Sequence, residues 1–144
     1  MVLIGLLLAA AGEVVRTAAQ RDREAQLLWV GHTYRAAISR YWSTRRTYPQ
    51  SLHDLLGTED GSPLQVRYIR QLYRDPMTNE VDWDLVPAPN GGIMGVASHS
   101  TRKPIKTGNF ETVDKAFEDA TSYGDWQFTF VPGLGVPRRL NPTP

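Results

Sequence analysis

The segment from Leu27 to Tyr41, LLWVGHTYRAAISRY, decides the fold because its apolar residues recur at the spacing of a single helix face. They follow the i, i+3, i+4, i+7 order of an amphipathic α-helix. The residues of this face are Leu27, Val30, Tyr34, Ala37, Ile38 and Tyr41. We therefore predict that the face packs the helix onto a small head domain.

The chain before this segment continues the helix but changes polarity twice. Met1–Ser43 contains no proline and mostly good helix formers, which predicts one helix about 65 Å long. Met1–Gly12, MVLIGLLLAAAG, has no charged side chain, whereas Thr17–Gln26 is polar all round. We expect the apolar part to contact lipid or other subunits through Leu3, Ile4, Leu6, Leu7, Leu8, Val14 and Val15.

The apolar run Met1–Gly12 is short for a membrane span. Its twelve residues rise about 18 Å as a helix, less than the roughly 30 Å hydrocarbon core of a bilayer. No Lys or Arg precedes the run, as one would in a signal peptide. One alternative stays open, in which the first helical turns are a buried core element of the fold.

After the helix, proline and glycine residues divide the head into short elements. Pro49 disfavours helical geometry in the residue before it, and Ser51 is expected to begin a second, short helix. Gly57–Pro63, GTEDGSP, is predicted as a loop by its composition. The apolar spacing within Val66–Tyr73 then predicts one or two further helical turns.

Three stretches of the head predict short strands. Trp83–Val86 forms the first strand, and Ile93–Ala97 returns after the turn Pro87–Gly92, PAPNGG, which contains a hairpin-favouring Asn-Gly pair. Aromatic and polar residues alternate in Trp126–Phe130, which is the periodicity of a strand. The expected fold class is α+β, with a long N-terminal helix packed on a small three-stranded antiparallel sheet.

The connection Ser98–Asp125 between the second and third strands is long, and long connections often carry function. It contains a candidate helix, Phe110–Asp119, in which Phe110, Val113 and Phe117 share a side. The tail is rich in proline and is expected to be extended. The predicted parts are therefore the apolar half-helix with its polar stem (1–26), the head (27–131) and the tail (132–144).

Composition excludes several classes of function. Sixteen Lys and Arg residues against fifteen Asp and Glu residues give a net charge of +1, so the chain lacks the basic excess of a nucleic-acid binder. The chain has no cysteine, which excludes disulfides and thiolate metal sites. We expect no nucleic-acid partner.

No residue pattern predicts catalysis. His32, His53 and His99 lie far apart in sequence and form no metal-binding pair. Ser98 and Ser100 flank His99 without the glycine-framed elbow of a serine nucleophile. We therefore predict a protein that is not an enzyme and has no catalytic residue, metal ligand or cofactor, with the histidines as surface or satisfied polar residues.

An ordered set of features resembles type IV pilin-like proteins, most of all the major pseudopilins of type II secretion systems. The apolar helix runs into an amphipathic half, and a Tyr-Pro pair, a short Ser-Leu-x-x-Leu helix, an Asp-Pro segment and a sheet follow. The resemblance extends over Val2–Ser98. Its residues are Gly5, Tyr41, Tyr48-Pro49, Ser51-Leu52, Leu55, Tyr68-Ile69, Leu72, Asp75-Pro76, Asn79 and Trp83–Val86.

The resemblance implies a pilin-like fold and a structural, non-enzymatic subunit. The apolar helix of such a protein sits in the inner membrane as a single pass with a periplasmic head, and then packs with its neighbours' helices in a filament. The implied partners are further copies of the chain, other pseudopilins, the inner-membrane assembly platform and membrane lipid.

Two features depart from the family's pattern. Its processing signal, a Gly followed by Phe-Thr-Leu-Ile-Glu, is missing, and Met1 corresponds to a position inside the mature helix. Related major pseudopilins bind calcium in an acidic loop after the second strand, but the matching Ser98–Pro104, SHSTRKP, is basic where oxygen ligands would be needed. Calcium is therefore not expected. Solvation of a helix face is the role predicted for Asp114, Glu118, Asp119 and Asp125.

A second functional hypothesis belongs to a different class. The chain would be a monomeric, membrane-tethered periplasmic binding or adapter module whose connection Ser98–Asp125 recognises a ligand or another envelope protein. A charge at Leu6 or Leu8 would abolish the assembly of a filament subunit, whereas a tethered module would lose only its membrane attachment.

Overall fold

One long helix dominates the fold. The computed structural model describes residues 2–57 and 66–134, with side chains from residue 4 onward. Helix α1 spans Val2–Arg45, so the prediction of a long N-terminal helix is confirmed. Met1, the side chain of Leu3, the predicted loop after Gly57 and the tail after residue 134 lie outside the described residues.

A three-stranded antiparallel sheet covers the C-terminal half of α1. Its strands are β1 (Asp84–Pro87), β2 (Ile93–Ala97) and β3 (Phe128–Thr129), and β2 lies in the centre. Both β2 and β3 contact α1. The described residues therefore confirm an α+β architecture with one helix packed on a small antiparallel sheet.

The predicted packing face of α1 forms the core. Leu27, Tyr34, Ala37 and Ile38 are completely buried, and Val30 is buried as well. Tyr41 is half-buried and packs at the margin of the same cluster, where its ring meets that of Tyr68 edge-on at 5.1 Å. The helical spacing read from the sequence thus identified the residues that hold the sheet.

A glycine in α1 allows the sheet to approach the helix closely. A Cβ atom at Gly31 would overlap the ring of Phe128 in β3. Glycine in a helix interior costs about 0.5–1 kcal/mol relative to alanine, so its presence here fits a packing requirement. The aromatic ring of Phe128 therefore lies directly against the helix backbone.

The β1–β2 hairpin follows the predicted turn chemistry. Leu85 pairs with Val96 and Val86 with Gly95, before the register shifts between Val86 and Pro87. Gly91 and Gly92 adopt φ values of +93° and +83°, which side chains other than glycine rarely adopt. The Asn-Gly signal therefore placed the turn correctly.

Two sequence predictions on the head are wrong in detail. Val66–Tyr73 forms no helix, because the amides of Tyr68 and Ile69 both donate to the carbonyl of Leu55, at 2.9 and 3.1 Å, and not to carbonyls of their own segment. Strand β3 includes only Phe128–Thr129 of the predicted stretch. Leu55 itself lies in the 3₁₀ helix η1 (Leu52–Leu56), close to the predicted short helix.

The connection between β2 and β3 has an unexpected helical period. It contains the 3₁₀ helices η2 (Thr112–Asp119) and η3 (Tyr123–Asp125). A 3₁₀ helix has three residues per turn, so positions three apart lie on one side. Asp114 and Phe117 are accordingly buried, while Val113, predicted to share a side with Phe117, is 46% exposed.

Candidate functional site

The N-terminal half of α1 projects away from the head with its apolar side chains in solvent. Six of its large apolar residues are between 63% and 71% exposed. Contiguous exposed apolar surface of this kind marks contact sites for proteins or membranes. The residues are Ile4, Leu6, Leu7, Leu8, Val14 and Val15.

These apolar residues surround the helix and do not form one stripe. Ile4, Leu6, Leu7 and Leu8 cover successive directions, since neighbouring helical residues are about 100° apart. A helix that is apolar all round fits a site where several partners, or lipid, surround it. Among the described residues, no helix is long and apolar enough to cross a membrane.

Gln20 of α1 forms hydrogen bonds to the connection between β2 and β3. The Gln20 side chain donates hydrogen bonds to the Tyr123 hydroxyl at 2.8 Å and to the carbonyl of Lys103 at 3.1 Å. It also accepts one from the Arg102 guanidinium at 3.0 Å. Burial raises the pKa of the Tyr123 hydroxyl, so it remains protonated at neutral pH. The polar stem is thus attached to the connection between β2 and β3.

One turn further, Glu24 is buried, with 3% of its surface exposed. Its carboxylate accepts the backbone amide of Ile105 at 3.1 Å and that of Lys106 at 3.1 and 3.3 Å. Hydrogen bonds to an ionised carboxylate are among the stronger ones in proteins. The interpretation of Thr17–Gln26 as polar all round therefore missed a buried, bonded carboxylate.

A cluster of charged residues links the connection between β2 and β3 to α1 at a second place, closer to the hydrophobic core. Asp114 of η2 is 1% exposed and contacts His32 Nε2 at 2.5 Å and Arg35 Nη2 at 2.6 Å. Burial raises the pKa of Asp114, but the hydrogen bonds from His32 and Arg35 outweigh burial and hold it below its ordinary value. Arg35 also donates to the carbonyl of Thr129 in β3 at 2.9 Å.

The prediction that Asp114 solvates a helix face is wrong. The three-residue period of η2 turns its carboxylate inward, where His32 and Arg35 neutralise it. Asp125, the last residue of η3, accepts the backbone amides of Thr121 and Ser122, which directly precede η3. The other two residues of that prediction lie at the surface: Glu118 is half-buried and paired with Lys115, and Asp119 is exposed.

The three histidines lie in separate places, as the sequence predicted. His32 is on α1, His53 is exposed on η1, and His99 follows β2. His99 lies between two carboxylates, with Nδ1 at 2.9 Å from Asp84 and Nε2 at 3.3 Å from Asp82. Each histidine is thus a surface residue or has a polar partner.

The spacing of residues on α1 could have predicted the contacts of Gln20 and Glu24 with the head. Gln20 and Glu24 extend the row that continues through Leu27, Gly31 and Tyr34 at intervals of three and four residues. The packing face therefore begins two turns earlier than its apolar residues indicate.

Comparisons of the chain with protein-family models, with curated proteins and with solved structures found no match.

Proposed function

We propose that this protein is a structural subunit of a periplasmic filament, a pseudopilus or type IV pilus-like fibre, that assembles through the N-terminal half of α1 in type II protein secretion. The observation that carries the proposal is the exposure of the six apolar residues in Ile4–Val15 on a helix whose other half is packed. Under this proposal the fold is pilin-like and the subunit is not an enzyme.

Exposed apolar side chains on the N-terminal half of α1 are unfavourable in water. Burying one large aliphatic side chain contributes about 1.5–3 kcal/mol, so six exposed ones give a strong drive toward a partner. The head has its own packing face on Leu27–Tyr41 and does not use this surface. Lipid can cover it before assembly, and the helices of further copies can cover it afterwards.

The position of the surface favours an open assembly. Because the apolar residues surround the exposed helix, one of its faces can contact a different face of the helix in the next copy. Such contacts, when repeated with a rise along an axis, give a helical filament and not a closed ring. The proposed partners are therefore further copies, other pseudopilins, the assembly platform and lipid, with the subunit in the inner membrane and its head in the periplasm.

The test compares two exposed apolar residues after substitution by lysine in the native host. Leu8→Lys places a charge in the proposed assembly surface, and Val81→Lys places one on the head, where Val81 is 48% exposed. We expect Leu8→Lys to abolish crosslinked oligomers and copurification with other pilin-like subunits, while Val81→Lys retains both. Circular dichroism should show the same helical content in the two variants.

Intact complexes in Leu8→Lys would overturn the filament proposal. A monomeric wild-type protein that Leu8→Lys releases from the membrane would support the second candidate, a tethered binding module. An open groove of about 390 Å³ between α1 and the connection favours that candidate. Ala25 and Leu28 line one side of the groove, and Ile105, Lys106, Gly108 and Asn109 line the other.

The mass and N-terminal sequence of the protein from its host's membrane fraction give an independent test. A processed and methylated N-terminus upstream of Met1 would support the pilin-like proposal. A protein that begins at Met1 and stays in the soluble fraction would contradict it.

A further inference from the structure

One group of side chains joins α1 to η2 and has a composition typical of metal sites. His32, Glu111 and Asp114 each offer one ligand atom, and these atoms all lie within 4.8 Å of one another. We propose that this group binds a transition-metal dication, with zinc as the best fit to its ligands. The proposal does not depend on the filament function.

The convergence of the three residues follows from the local backbone. Glu111 is the residue before η2 and Asp114 is three residues later, so the 3₁₀ winding places them on the same side. That side faces α1, where His32 stands beside it. The same winding buries Phe117, which stacks on Trp126 with ring planes 5° apart and keeps η2 in place.

The donor set selects the type of ion. One imidazole nitrogen and two carboxylate oxygens suit zinc, whose bonds to such atoms are about 2.0–2.2 Å long. Tetrahedral ligands at that range are about 3.4 Å apart, so His32 Nε2 and Asp114 Oδ2 need to separate by less than about 1 Å from their 2.5 Å contact. Calcium prefers a full shell of oxygen ligands and is disfavoured by the imidazole.

Arg35 positions the buried carboxylate. Its guanidinium binds Asp114 Oδ1 at 2.6 Å, which leaves Oδ2 directed at His32. Residues that hold a ligand from behind in this way orient it toward the metal. Two carboxylates against one guanidinium leave the cluster a net negative charge when His32 is neutral, which favours a cation.

Glu111 is available to complete the site. Its backbone carbonyl accepts the amide of Asp114 at 2.9 Å, but its exposed side chain has no hydrogen-bond or ion-pair partner among the described residues. The basic residue one turn further along η2, Lys115, is engaged by Glu118 at 2.8 Å. The side chain of His32 is 34% exposed, so an ion can enter from solvent and water can fill the remaining coordination position.

The experiment uses the purified full chain in a mild detergent after removal of metals by a chelator. Titration with zinc chloride against a chromogenic competitor should give one ion per chain with a Kd below about 10 μM. Cobalt(II) at the same site should give the visible absorption bands of a tetrahedral complex with nitrogen and oxygen ligands.

Matched variants identify the ligands. Glu111→Gln should weaken zinc binding by about tenfold or more, since it removes one of three ligands. Because Glu111 is exposed and unpaired among the described residues, this change leaves the fold intact, and circular dichroism checks that it does. Glu118→Gln, on the same 3₁₀ helix, and His99→Gln, on another histidine, should bind zinc as the wild type does.

His32→Gln should abolish the cobalt bands while its amide still donates to Asp114. Absence of zinc binding at about 1 mM, or equal affinity in the wild type and Glu111→Gln, would overturn the proposal. Equal weakening in Glu111→Gln and Glu118→Gln would also overturn it, because general attraction by acidic residues would then explain the binding.

Discussion

The two halves of α1 share one continuous helix but have opposite relations to the head. From Gln20 onward, a row of residues is buried or bonded to the sheet and to the connection. Every described residue from Ile4 to Arg16 is exposed, although this half has the denser apolar sequence. Burial within the chain therefore follows helical spacing and complementary contacts more than hydrophobicity.

Apolar residues are arranged differently in the packed and the exposed halves of α1. In the packed half they alternate with polar residues, so only one face requires a partner, and the head supplies it. In the exposed half they surround the helix, and no single small domain can cover all sides. An apolar helix of the second type therefore needs several neighbours or lipid.

The largest expected difference in stability is between leucine-to-alanine substitutions in the two halves of α1. Leu27→Ala removes a completely buried side chain and should lower the free energy of unfolding of the head by about 2–5 kcal/mol. Leu7→Ala, at 71% exposure, should change it by less than about 0.5 kcal/mol. Urea titration followed by tryptophan fluorescence measures both, and equal losses would contradict the division of the helix.

The boundary between the halves can be tested at Glu24. Glu24→Ala leaves two backbone amides without their acceptor and should cost about 1.5–3 kcal/mol of the free energy of unfolding. Hydrogen exchange should accelerate at the amides of Ile105 and Lys106. Glu13→Ala, on the exposed half, should leave both the stability and the exchange rates unchanged.

Two glycines of α1 should respond to alanine with opposite signs. Gly31→Ala introduces a Cβ that overlaps the Phe128 ring and should destabilise the head by about 1–3 kcal/mol. Gly12 has open space around it, so Gly12→Ala should raise the helical content of the chain through alanine's higher propensity. Thermal unfolding and circular dichroism measure the two effects. A stabilised Gly31→Ala would show that the helix and sheet are not in close contact.

The smallest expected effect is a change in how the stability of the head depends on acid, through Asp125 at the end of η3. Hydrogen bonds from the amides of Thr121 and Ser122 hold the pKa of Asp125 below its ordinary value of 3.8. A carboxylate with a lowered pKa in the folded state stabilises the fold above its unfolded pKa, and this contribution is lost as the pH falls through the folded value. Asp125 should therefore stabilise the head at pH 7 and not in strong acid.

The matching variant is Asp125→Asn, with Asp119→Asn as its control. We expect the difference in urea midpoint between the wild type and Asp125→Asn to be smaller at pH 2.5 than at pH 5. These two assay conditions lie on either side of the ordinary pKa of 3.8. Asp119 is exposed and should show no such trend. A difference that stays constant over this range would contradict the assigned pKa direction.

The sequence predicted the elements whose period or turn chemistry is unambiguous. The spacing in Leu27–Tyr41 identified the core face, and the Asn-Gly pair identified the β1–β2 turn. Val66–Tyr73 had an apolar spacing compatible with a helix, but its amides bond to η1. That outcome depends on a tertiary contact, which a local pattern does not contain.

The charged clusters were harder to predict because they depend on the helical period of η2 and on contacts between residues that are far apart in sequence. An α-helical period predicted that Val113 shares a side with Phe117, whereas in the observed 3₁₀ helix Asp114 shares the buried side with Phe117. His32 and Asp114 are far apart in sequence, so their contact exists only after η2 has folded against α1. Glu24 lies on the extended packing face, but its burial was not predicted because a charged residue is normally expected at the surface.

The outer strands of the sheet determine how readily another molecule could add a strand to it. Within the described residues, β1 and β3 form the two margins of the sheet. Strand β3 has two residues, and β1 is interrupted by a register shift before Pro87, which has no amide hydrogen to donate. Such short and broken margins offer little backbone for strand addition from another molecule. Heads of this kind can therefore lie side by side without extending one sheet into the next, and any contact between them has to use surfaces other than the sheet margins.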